Sequence, residues 1–356
     1  MQVCVAMSGG VDSSVAAVLL QEQGYELSGV NLRMFHNEDL GESSEKTCCY
    51  LADAEDAALV ARRMGFPFYV FDFSQVFRDT VIRDFVDEYQ AGRTPNPCAV
   101  CNREVKFGAL LRRVQALGSD YLATGHYARV ERDPSSGRVL LRRAADRSKD
   151  QTYFLYMLTQ EQLAHTLFPL GGLCKAEVRR IAEVHGLVNA RKHDSQDICF
   201  VPNGKYADFI ERTAGQASPA GPFLDQEGKM LGQHKGLIRY TRGQHKGLGL
   251  STEEPLYVLE KDVASNTIRL GPDSALWTRE LTAEQVNLIS VPVLTEPMRV
   301  TAKTRYSQRE AAATAEALPD GRIRVIFDEP QRAITPGQAV VLYDGEYVVG
   351  GGIICG

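Results

Sequence analysis

The sequence contains no long apolar run. None of its hydrophobic stretches approaches the roughly 20 consecutive apolar residues that a membrane-spanning helix needs. The first residues, MQVCVAMSGG, lead directly into a strand-like segment and lack the pattern of a cleavable signal sequence. We therefore expect a cytoplasmic protein without a membrane partner.

An excess of positive charge is also missing. The formal net charge is −5, from 40 Lys and Arg against 45 Asp and Glu, so the chain as a whole does not attract nucleic acid. An RNA partner would have to bind a local basic face. The candidates for such a face fall in three groups: Arg103, Lys106, Arg112 and Arg113; Arg142, Arg143, Arg147 and Lys149; Arg179, Arg180, Arg191 and Lys192.

The cysteines are numerous for a chain without a secretion signal. There are 8 of them in 356 residues, which is long enough for two or three domains with a core that needs no disulfides. In a reducing compartment the thiols that matter are expected to be catalytic or metal-binding.

The N-terminal segment has the pattern of a strand, a glycine loop and a helix. Residues 3–7 form a short apolar run, SGGVDSS follows at 8–14, and the helical VAAVLLQEQ is closed by Gly24. The loop lacks the Gly-Lys-Ser/Thr ending of a Walker loop and the third glycine of a dinucleotide fingerprint. Two glycines followed by a helix N-terminus still predict a phosphate-binding loop.

Further strands alternate with helices along the first part of the chain. Residues 25–35, 66–73 and 120–128 have the pattern of buried strands, with helical patterns between them. This alternation predicts a doubly wound parallel sheet of the α/β class. Ligands bind such sheets at the carboxyl ends of the strands, where Ser8, Leu32 and Gly125 are expected.

The SGGVDSS loop resembles the pyrophosphate loop of the ATP pyrophosphatase superfamily, whose fold is of the adenine nucleotide alpha hydrolase type. Members cleave ATP between its α and β phosphates and adenylate a carbonyl oxygen. The resemblance implies that Asp12 lies near Mg²⁺ and that ATP is held by a set of loop and strand-end residues. They are Ala6, Met7, Ser8, Gly9, Gly10, Val11, Asp12, Ser13, Leu32 and Gly125.

Motifs along essentially the whole chain resemble one family within that superfamily. They are the glycine loop, TPNPCAVCN, ATGHYAR, KDQTYFL, SQDICF, GQHKGLG and TRYSQ, in that order. Together they resemble the tRNA-specific 2-thiouridylase family. The resemblance implies ATP-dependent 2-thiolation of the wobble uridine in the tRNAs for Lys, Glu and Gln, with release of AMP and pyrophosphate.

Two cysteines have implied roles in that chemistry. Carried over by position, Cys199 would bear a persulfide and Cys101 would be the nucleophile that forms a disulfide with it. Cys101 also stands at the start of the helical pattern CNREVKFGALLRRVQALG, where the helix dipole is expected to lower the pKa of a thiol. The sulfur donor is expected to be a cysteine desulfurase or a sulfur-relay protein.

Cys98 departs from the family pattern, in which better-known members have an aspartate at this position. It is a spare thiol, a resolving partner for Cys101, or a ligand with Cys101 and Cys199 of an iron–sulfur cluster. A structural zinc is the weakest interpretation, because the chain has no second Cys-x-x-Cys to complete the site. His126 is expected at a strand end near the nucleotide, with a general-base role left open. A functional use of Cys48 and Cys49, after a polar loop, is also left open.

The same resemblance implies contacts with tRNA. Lys149, Asp150 and Gln151 in KDQTYF would form one contact, and Arg305 with Tyr306 in TRYSQ would form a second. An arginine beside an aromatic ring suits stacking on an unpaired base.

We expect three domains. Residues 1–203 form the ATP-binding catalytic domain, 204–280 a small central β-rich domain, and 281–356 a C-terminal β-barrel. Helical periodicity fades after about residue 203, and GQHKGL occurs twice, at 232–237 and 243–248. The two copies are expected to form neighbouring turns whose lysines meet RNA backbone.

Two other functions are compatible with the fold. An amide-forming ligase would use glutamine or ammonia and would be indifferent to loss of Cys199. A nucleotide-sensing binding protein would bind ATP and release no pyrophosphate when tRNA is added.

Overall fold

The computed structural model describes residues 1–36, 47–192, 198–201 and 204–355, the side chains of 47–51 excepted. Most of the polar loop expected at 36–47, and the side chains of Cys48 and Cys49, lie outside the described residues. The described chain forms two compact units. Unit 1 consists of Met1–Val81, Cys98–Phe200 and Glu346–Val348; unit 2 consists of Ile82–Pro97, Val201–Gly345 and Val349–Gly356.

Unit 1 is built on a parallel sheet of five strands in the order β3-β2-β1-β4-β7. Its strands are β1 (Gln2–Ala6), β2 (Glu26–Arg33), β3 (Phe68–Asp72), β4 (Tyr121–Thr124) and β7 (Thr166–Leu167). The central strand β1 pairs in parallel with β2 on one side and β4 on the other. The predicted doubly wound fold is therefore confirmed, although the short strand β7 was not expected.

Helices alternate with these strands along the chain. They are α1 (Val11–Glu22), α2 (Thr47–Met64), α3 (Ser74–Phe77), a π-helical turn (Arg78–Ile82), α4 (Arg83–Gln90), α5 (Pro97–Val100), a π-helix (Cys101–Leu110), α6 (Leu111–Ala116), a 3₁₀ turn (Thr152–Phe154), α7 (Gln160–Ala164) and α8 (Lys175–Val184). Helix α4 belongs to unit 2. Val15, Ala16 and Ala17 of α1 are fully buried, because this helix shares the core of the sheet.

A π-helix, Cys101–Leu110, forms the first part of the helix expected from about 101 to 117. Gly108 is built into it, since a Cβ on this residue would lie 2.6 Å from the carbonyl oxygen of Arg103, five residues earlier. π-Helical segments of this length are rare and occur frequently at functional sites. The amphipathic pattern predicted a helix here but not this helix type.

An antiparallel hairpin of β5 (Arg129–Arg132) and β6 (Val139–Arg142) was also not expected. In unit 1 Arg142 pairs with Tyr347, the first residue of the last strand. The pairing joins segments that are far apart in the sequence, so local patterns could not indicate it.

Unit 2 contains a small four-stranded sheet in the order β10-β11-β8-β9. It is formed by β8 (Gly221–Leu224), β9 (Met230–His234), β10 (Tyr257–Asp262) and β11 (Thr267–Gly271), with a 3₁₀ turn at Leu237–Arg239. Helix α9 (Tyr206–Ala214) precedes the sheet. The expectation that helical structure ends near residue 203 was therefore wrong, and the apolar face of α9 packs through Phe209 against Phe85 of α4.

The rest of unit 2 is a closed barrel. Its strands are β12 (Trp277–Leu288, preceded by the 3₁₀ turn Asp273–Leu276), β13 (Met298–Lys303), β14 (Ala311–Ala317), β15 (Ile323–Arg332), β16 (Ala339–Asp344) and β17 (Tyr347–Ile354). They run in the order β12-β15-β14-β13-β16-β17, and β12 also pairs with β17, which closes the barrel. The predicted C-terminal barrel is confirmed. Within the described ranges no helix is both long and apolar enough to cross a bilayer.

Candidate functional site: a phosphate loop and three thiols

The glycine loop leaves the carboxyl end of β1 and is held by its own hydroxyls. The backbone N–H of Met7 donates to the carbonyl of Val30 at 2.7 Å, and the Asn31 side-chain amide donates to the carbonyl of Met7 at 2.8 Å. Ser13 Oγ accepts from the Ser8 N–H at 3.2 Å and donates to the Gly10 carbonyl at 3.1 Å. The loop is therefore preorganised before any ligand binds.

Two glycines allow close approaches around this loop. Gly9 has φ +76°, and a Cβ there would lie 2.1 Å from the Asp53 carbonyl oxygen of α2. Gly125, just after β4, has Ser13 N 2.7 Å from its Cβ position. Gly9 is therefore required for both its backbone conformation and the lack of a side chain, whereas Gly125 is required only for the lack of a side chain.

Asp12 makes contacts that the sequence did not indicate. Its two carboxylate oxygens lie 2.7 and 2.8 Å from the ammonium of Lys175, and the hydroxyl of Tyr127 donates to one of them at 2.8 Å. Lys175 begins α8, and its side chain is only 12% exposed. A largely buried cation is thereby fixed beside the phosphate loop. The expectation that Asp12 lies near Mg²⁺ stays a prediction.

A second set of side chains fastens the segment after α8 to the same loop. The amide of buried Asn189 donates to the Gly9 carbonyl at 3.0 Å and to Ser14 Oγ at 2.9 Å. Lys192 binds Asp53 at 2.5 Å and Asp56 at 2.8 Å, both on α2. Sequence reasoning missed Asn189 and Lys175, because only the tertiary fold brings them to Gly9 and Asp12.

The arrangement fits a polyphosphate. Gly10 is the N-cap residue of α1 and provides no side-chain cap, so the first amides of the helix remain available as donors. The ammonium of Lys175 lies beside them, held by Asp12. Ala6 ends β1, Val11 begins α1, and Leu32 is half-buried near the end of β2, so the remaining candidate ATP residues all lie at the carboxyl edge of the sheet.

Three thiols lie in the same unit, where the charge of Cys98 acts on Cys101 and the charges of both act on Cys199. Cys98 and Cys199 reach solvent, whereas Cys101 is 7% exposed and its Sγ lies 3.9 Å from Met34 Sδ. The charge of Lys106 acts on all three thiols and opposes the rise in pKa that desolvation by the surrounding protein causes. Lys106, which the sequence suggested only for RNA, is a further residue of this region, and a joint role of the three thiols stays a prediction.

The expected lowering of the Cys101 pKa by a helix dipole is wrong. Burial raises the pKa of Cys101 to about 11, and desolvation by the surrounding protein raises that of Cys199 to about 12. Helix α5 begins at Pro97, so Cys101 lies a full turn inside a continuous helical segment and away from its N-terminus. The dipole effect fades within the first turn, and desolvation dominates instead.

Both Cys101 and Cys199 are free thiols, so the expected disulfide is not present in this structure. Across the described part of the chain, no group of three or more His, Cys, Asp or Glu side chains is arranged to hold a metal ion.

His126 follows β4 and lies near enough to Lys106 to be affected by its charge. Its Nδ1 lies 2.7 Å from Thr124 Oγ1, and its ring packs on Phe107 and Phe168. Burial lowers the pKa of His126 well below its usual value, and the charge of Lys106 lowers it further. The imidazole is therefore neutral at neutral pH.

The residues expected to touch tRNA in KDQTYF have internal partners. Buried Asp150 accepts from the Ala144 N–H at 2.9 Å and from Thr152 Oγ1 at 2.7 Å. Gln151 Oε1 accepts from the Tyr127 N–H at 2.9 Å. Both side chains shape the turn that positions Tyr127 against Asp12, and Lys149 is half-buried beside them. Their contact with tRNA stays a prediction.

The second expected contact lies in unit 2. Arg305 donates to the carbonyls of Arg242 at 3.2 Å and Ala333 at 3.0 Å, and to Thr335 Oγ1 at 2.5 Å. The side chain of Tyr306 is 40% exposed, and the Lys303 ammonium lies 5.4 Å from its ring centroid. A flat exposed ring beside a cation agrees with the predicted role in RNA stacking without testing it.

Three family models match the chain. They are described as the tRNA methyl transferase HUP domain (residues 1–203), the tRNA methyl transferase PRC-barrel domain (residues 207–272) and the aminomethyltransferase beta-barrel domain (residues 278–354). Together they cover both described units.

Curated relatives match over nearly the full length. The tRNA-specific 2-thiouridylase MnmA of Acetivibrio thermocellus is 50% identical over 354 residues, covering 99% of each chain. The protein of the same name from Clostridioides difficile is 48% identical over 353 residues, covering 99% of this chain and 98% of the relative. A solved NMN synthetase from Francisella tularensis is 14% identical with a TM-score of 0.33, over 61% of this chain and 78% of that one, too low to support an argument.

Proposed function

The chain belongs to the tRNA-specific 2-thiouridylase family, and we propose that it uses ATP to replace the 2-oxygen of the wobble uridine of tRNA with sulfur. One observation carries the chemical part of the proposal. Cys101, far from Cys199 in the sequence, lies close enough for its charge to act on the Cys199 thiol, in the same unit as the glycine loop.

The phosphate loop would hold ATP. Bound ATP would supply activation, because transfer of its AMP to the uracil 2-oxygen turns that oxygen into a leaving group and releases pyrophosphate. The uncapped amides of α1 donate to phosphate oxygens, and Lys175 adds a positive charge beside them. Asp12 and Tyr127 orient the ammonium of Lys175. Asn189 fixes the Gly9 carbonyl so that the loop keeps its shape.

The thiols would deliver the sulfur. A persulfide on Cys199 attacks carbon 2, which forms the C–S bond and expels AMP with the electron pair of the C–O bond. The Cys101 thiolate then attacks Cys199 Sγ, which breaks the persulfide S–S bond and leaves its electron pair on the sulfur attached to carbon 2. A disulfide between Cys101 and Cys199 remains, and an external dithiol must reduce it before the next turnover.

At neutral pH these thiols are protonated, which agrees with a resting enzyme that carries out no sulfur transfer. Because burial raises the pKa of Cys101 to about 11, this residue is a weak nucleophile until its surroundings change. Lys106 is the cation placed to stabilise a thiolate at this position. By family resemblance the substrates are the tRNAs for Lys, Glu and Gln, and a cysteine desulfurase or sulfur-relay protein loads Cys199.

The alternative is that Cys98, Cys101 and Cys199 bind an iron–sulfur cluster that holds the transferred sulfide. Cys98 supplies the third thiol that this alternative needs, where the family pattern has aspartate, but in the described residues the three thiols are not arranged as a metal-binding group. In the persulfide route Cys98 is dispensable, and in the cluster route it is essential.

The test is ATP-dependent thiolation of an unmodified tRNA transcript by protein purified anaerobically, with iron and acid-labile sulfide measured on the same samples. Variants Cys98→Ala, Cys101→Ala and Cys199→Ala are compared with wild type. We expect thiolation without iron that survives in Cys98→Ala and falls by at least about a hundredfold in the other two.

Activity that requires iron and all three cysteines would replace the disulfide step with the cluster route. Thiolation that persists in Cys199→Ala would remove that residue from the mechanism altogether.

A further inference from the structure

The two GQHKGL copies fold differently. The first, at 232–237, ends strand β9 and enters a 3₁₀ turn, whereas the second, at 243–248, forms a loop before β10. Because the same six residues occur in two environments, the two copies can be compared: one contributes to folding and the other is available at the surface.

The first copy is part of the core of the small sheet. His234 is 1% exposed, and its ring nitrogens lie 3.0 Å from the Asn266 carbonyl and 3.1 Å from the Gly236 N–H. Its ring packs on Phe223 and Tyr240, and burial lowers the pKa of His234. Leu237 is buried beside them. This copy holds the β-module together.

The second copy is an exposed and rigid turn. His245, Lys246 and Gly247 are exposed, and Gly243 has φ +86°. Gln244 braces the turn, because its side-chain amide donates to the Lys246 carbonyl at 3.0 Å and its Oε1 accepts from Thr241 N–H at 3.1 Å. The turn is tied to β10 by the Gly243 N–H to Val258 carbonyl bond at 2.8 Å.

Aromatic and basic side chains surround this turn. His245 stacks on Tyr257 with centroids 5.3 Å apart, and the Arg332 guanidinium lies 5.2 Å from the same ring. Gly243 packs against Ala333, whose carbonyl accepts from Arg305 at 3.0 Å. The turn thereby adjoins Arg305, which was already a candidate for RNA contact.

Carboxylates neutralise part of the positive charge of this region, since Glu260 acts on Arg242. Arg305 is anchored on the carbonyl of Arg242, so the two arginines are brought together by a neutral group. Arg332 is paired with Asp273 at 2.7 Å, but Lys246 forms no ion pair within the described residues. A lysine without a carboxylate partner keeps its attraction for an external anion, and RNA backbone is such an anion.

We propose that the second GQHKGL copy is a phosphate-binding turn, in which Lys246 binds tRNA backbone next to Arg305. This inference rests on the proposed function, since it assumes that tRNA is the substrate. The turn contributes affinity and placement, whereas base recognition belongs to other contacts.

Binding of an unmodified tRNA transcript to the full-length protein tests this inference, with fluorescence anisotropy measured at salt concentrations from low to moderate. The chain supplies its own control, because Lys235 occupies the same position of the first copy. Lys246→Ala and Lys246→Glu are therefore compared with Lys235→Ala and Lys235→Glu.

We expect Lys246→Ala to weaken binding about three- to tenfold and to reduce the slope of log K against log salt by roughly 0.7 to 0.9. Lys246→Glu weakens binding further, Lys246→Arg restores it, and the Lys235 variants bind as wild type does. Thermal unfolding midpoints that match among the variants confirm that folding is intact.

The controls separate this inference from the proposed function. A wild-type protein that neither binds nor thiolates tRNA contradicts the proposed function itself. A wild-type protein that does both, while the Lys246 and Lys235 variants behave alike, overturns only the assignment of this turn.

Discussion

Gly9 and Gly10 are adjacent in the sequence, but the structure requires glycine at only one of the two positions. Gly9 adopts φ +76° and lies against the Asp53 carbonyl, whereas Gly10 is extended, with φ −83°. At Gly10 the closest atom to a new Cβ is Ser8 Oγ at 3.4 Å, an ordinary contact. The sequence predicted two loop glycines but could not show which of them the fold requires.

Replacing Gly9 by alanine is expected to disrupt the loop. A left-handed backbone and a contact of 2.1 Å with the Asp53 carbonyl together cost at least about 2 kcal/mol of stability. Gly10→Ala is the matched control and should change the free energy of unfolding by less than about 1 kcal/mol. Chemical denaturation measures both, and equal losses in the two variants would contradict the geometry of the loop.

How far single residues could be predicted depends on where their partners lie. The loop residues and the three thiols were found because their motifs are local or carry a family resemblance. Lys175 and Asn189 were missed because their partners, Asp12 and Gly9, lie far away in sequence. The pKa of Cys101 was predicted in the wrong direction because burial depends on tertiary packing.

At the scale of elements, the π-helix Cys101–Leu110 sets which side chains face the thiols. In an α-helix a residue five positions on lies about 140° around the axis, since a turn contains 3.6 residues. The i→i+5 bonding of a π-helix brings that residue back toward the first one. Lys106 stands in this relation to Cys101, so the helix type directs its charge toward the thiols.

Gly108→Ala should therefore affect chemistry as well as folding. Its Cβ would lie 2.6 Å from the Arg103 carbonyl, which is also held by the Gln162 side chain at 3.0 Å and cannot easily shift. The turn would tighten toward an α-helix and rotate Lys106 away. We expect a stability loss of about 1 to 3 kcal/mol and, in the folded fraction, thiolation at least about tenfold slower.

Gly172→Ala is the control for this variant, because nothing lies within 4 Å of its Cβ position. It should match wild type in both denaturation and thiolation. A Gly108→Ala protein with normal thiolation would show that the π-helix is not needed to place Lys106.

Other elements show why local patterns mislead. Strand β14, Ala311–Ala317, has the sequence AAATAEA, which favours a helix by propensity. It is a strand because it pairs with β13 and β15, and its alternate residues Ala313 and Ala315 are buried in the barrel. Barrel closure is a tertiary effect that overrides propensity, so the sequence predicted the barrel but not this strand.

At the scale of the whole molecule, the net charge of −5 opposes RNA binding, while each unit carries candidate contacts of its own. The phosphate loop and the thiols belong to unit 1, and the basic turn and Arg305 belong to unit 2. An enzyme that uses the sites of both units would cleave ATP only when RNA is bound. This dependence distinguishes a thiolating enzyme from an amide-forming ligase and from a nucleotide sensor.

Pyrophosphate release is expected to require unmodified tRNA and to be unaffected by ammonia or glutamine, because the uracil oxygen is the group that is activated. Cys199→Ala is the informative variant. Activation precedes sulfur attack, so this variant should release up to about one pyrophosphate per bound tRNA and form no thiolated product. Single-turnover assays with labelled ATP measure both quantities.

The two rival functions predict results in the same assay that differ from those of a thiolating enzyme. An amide-forming ligase would release pyrophosphate with ammonia and would keep full activity in Cys199→Ala. A nucleotide sensor would bind ATP and release no pyrophosphate with any tRNA. A tRNA-dependent burst in Cys199→Ala without thiolation would place activation in the phosphate loop and sulfur transfer in the thiols, as two separable steps of one enzyme.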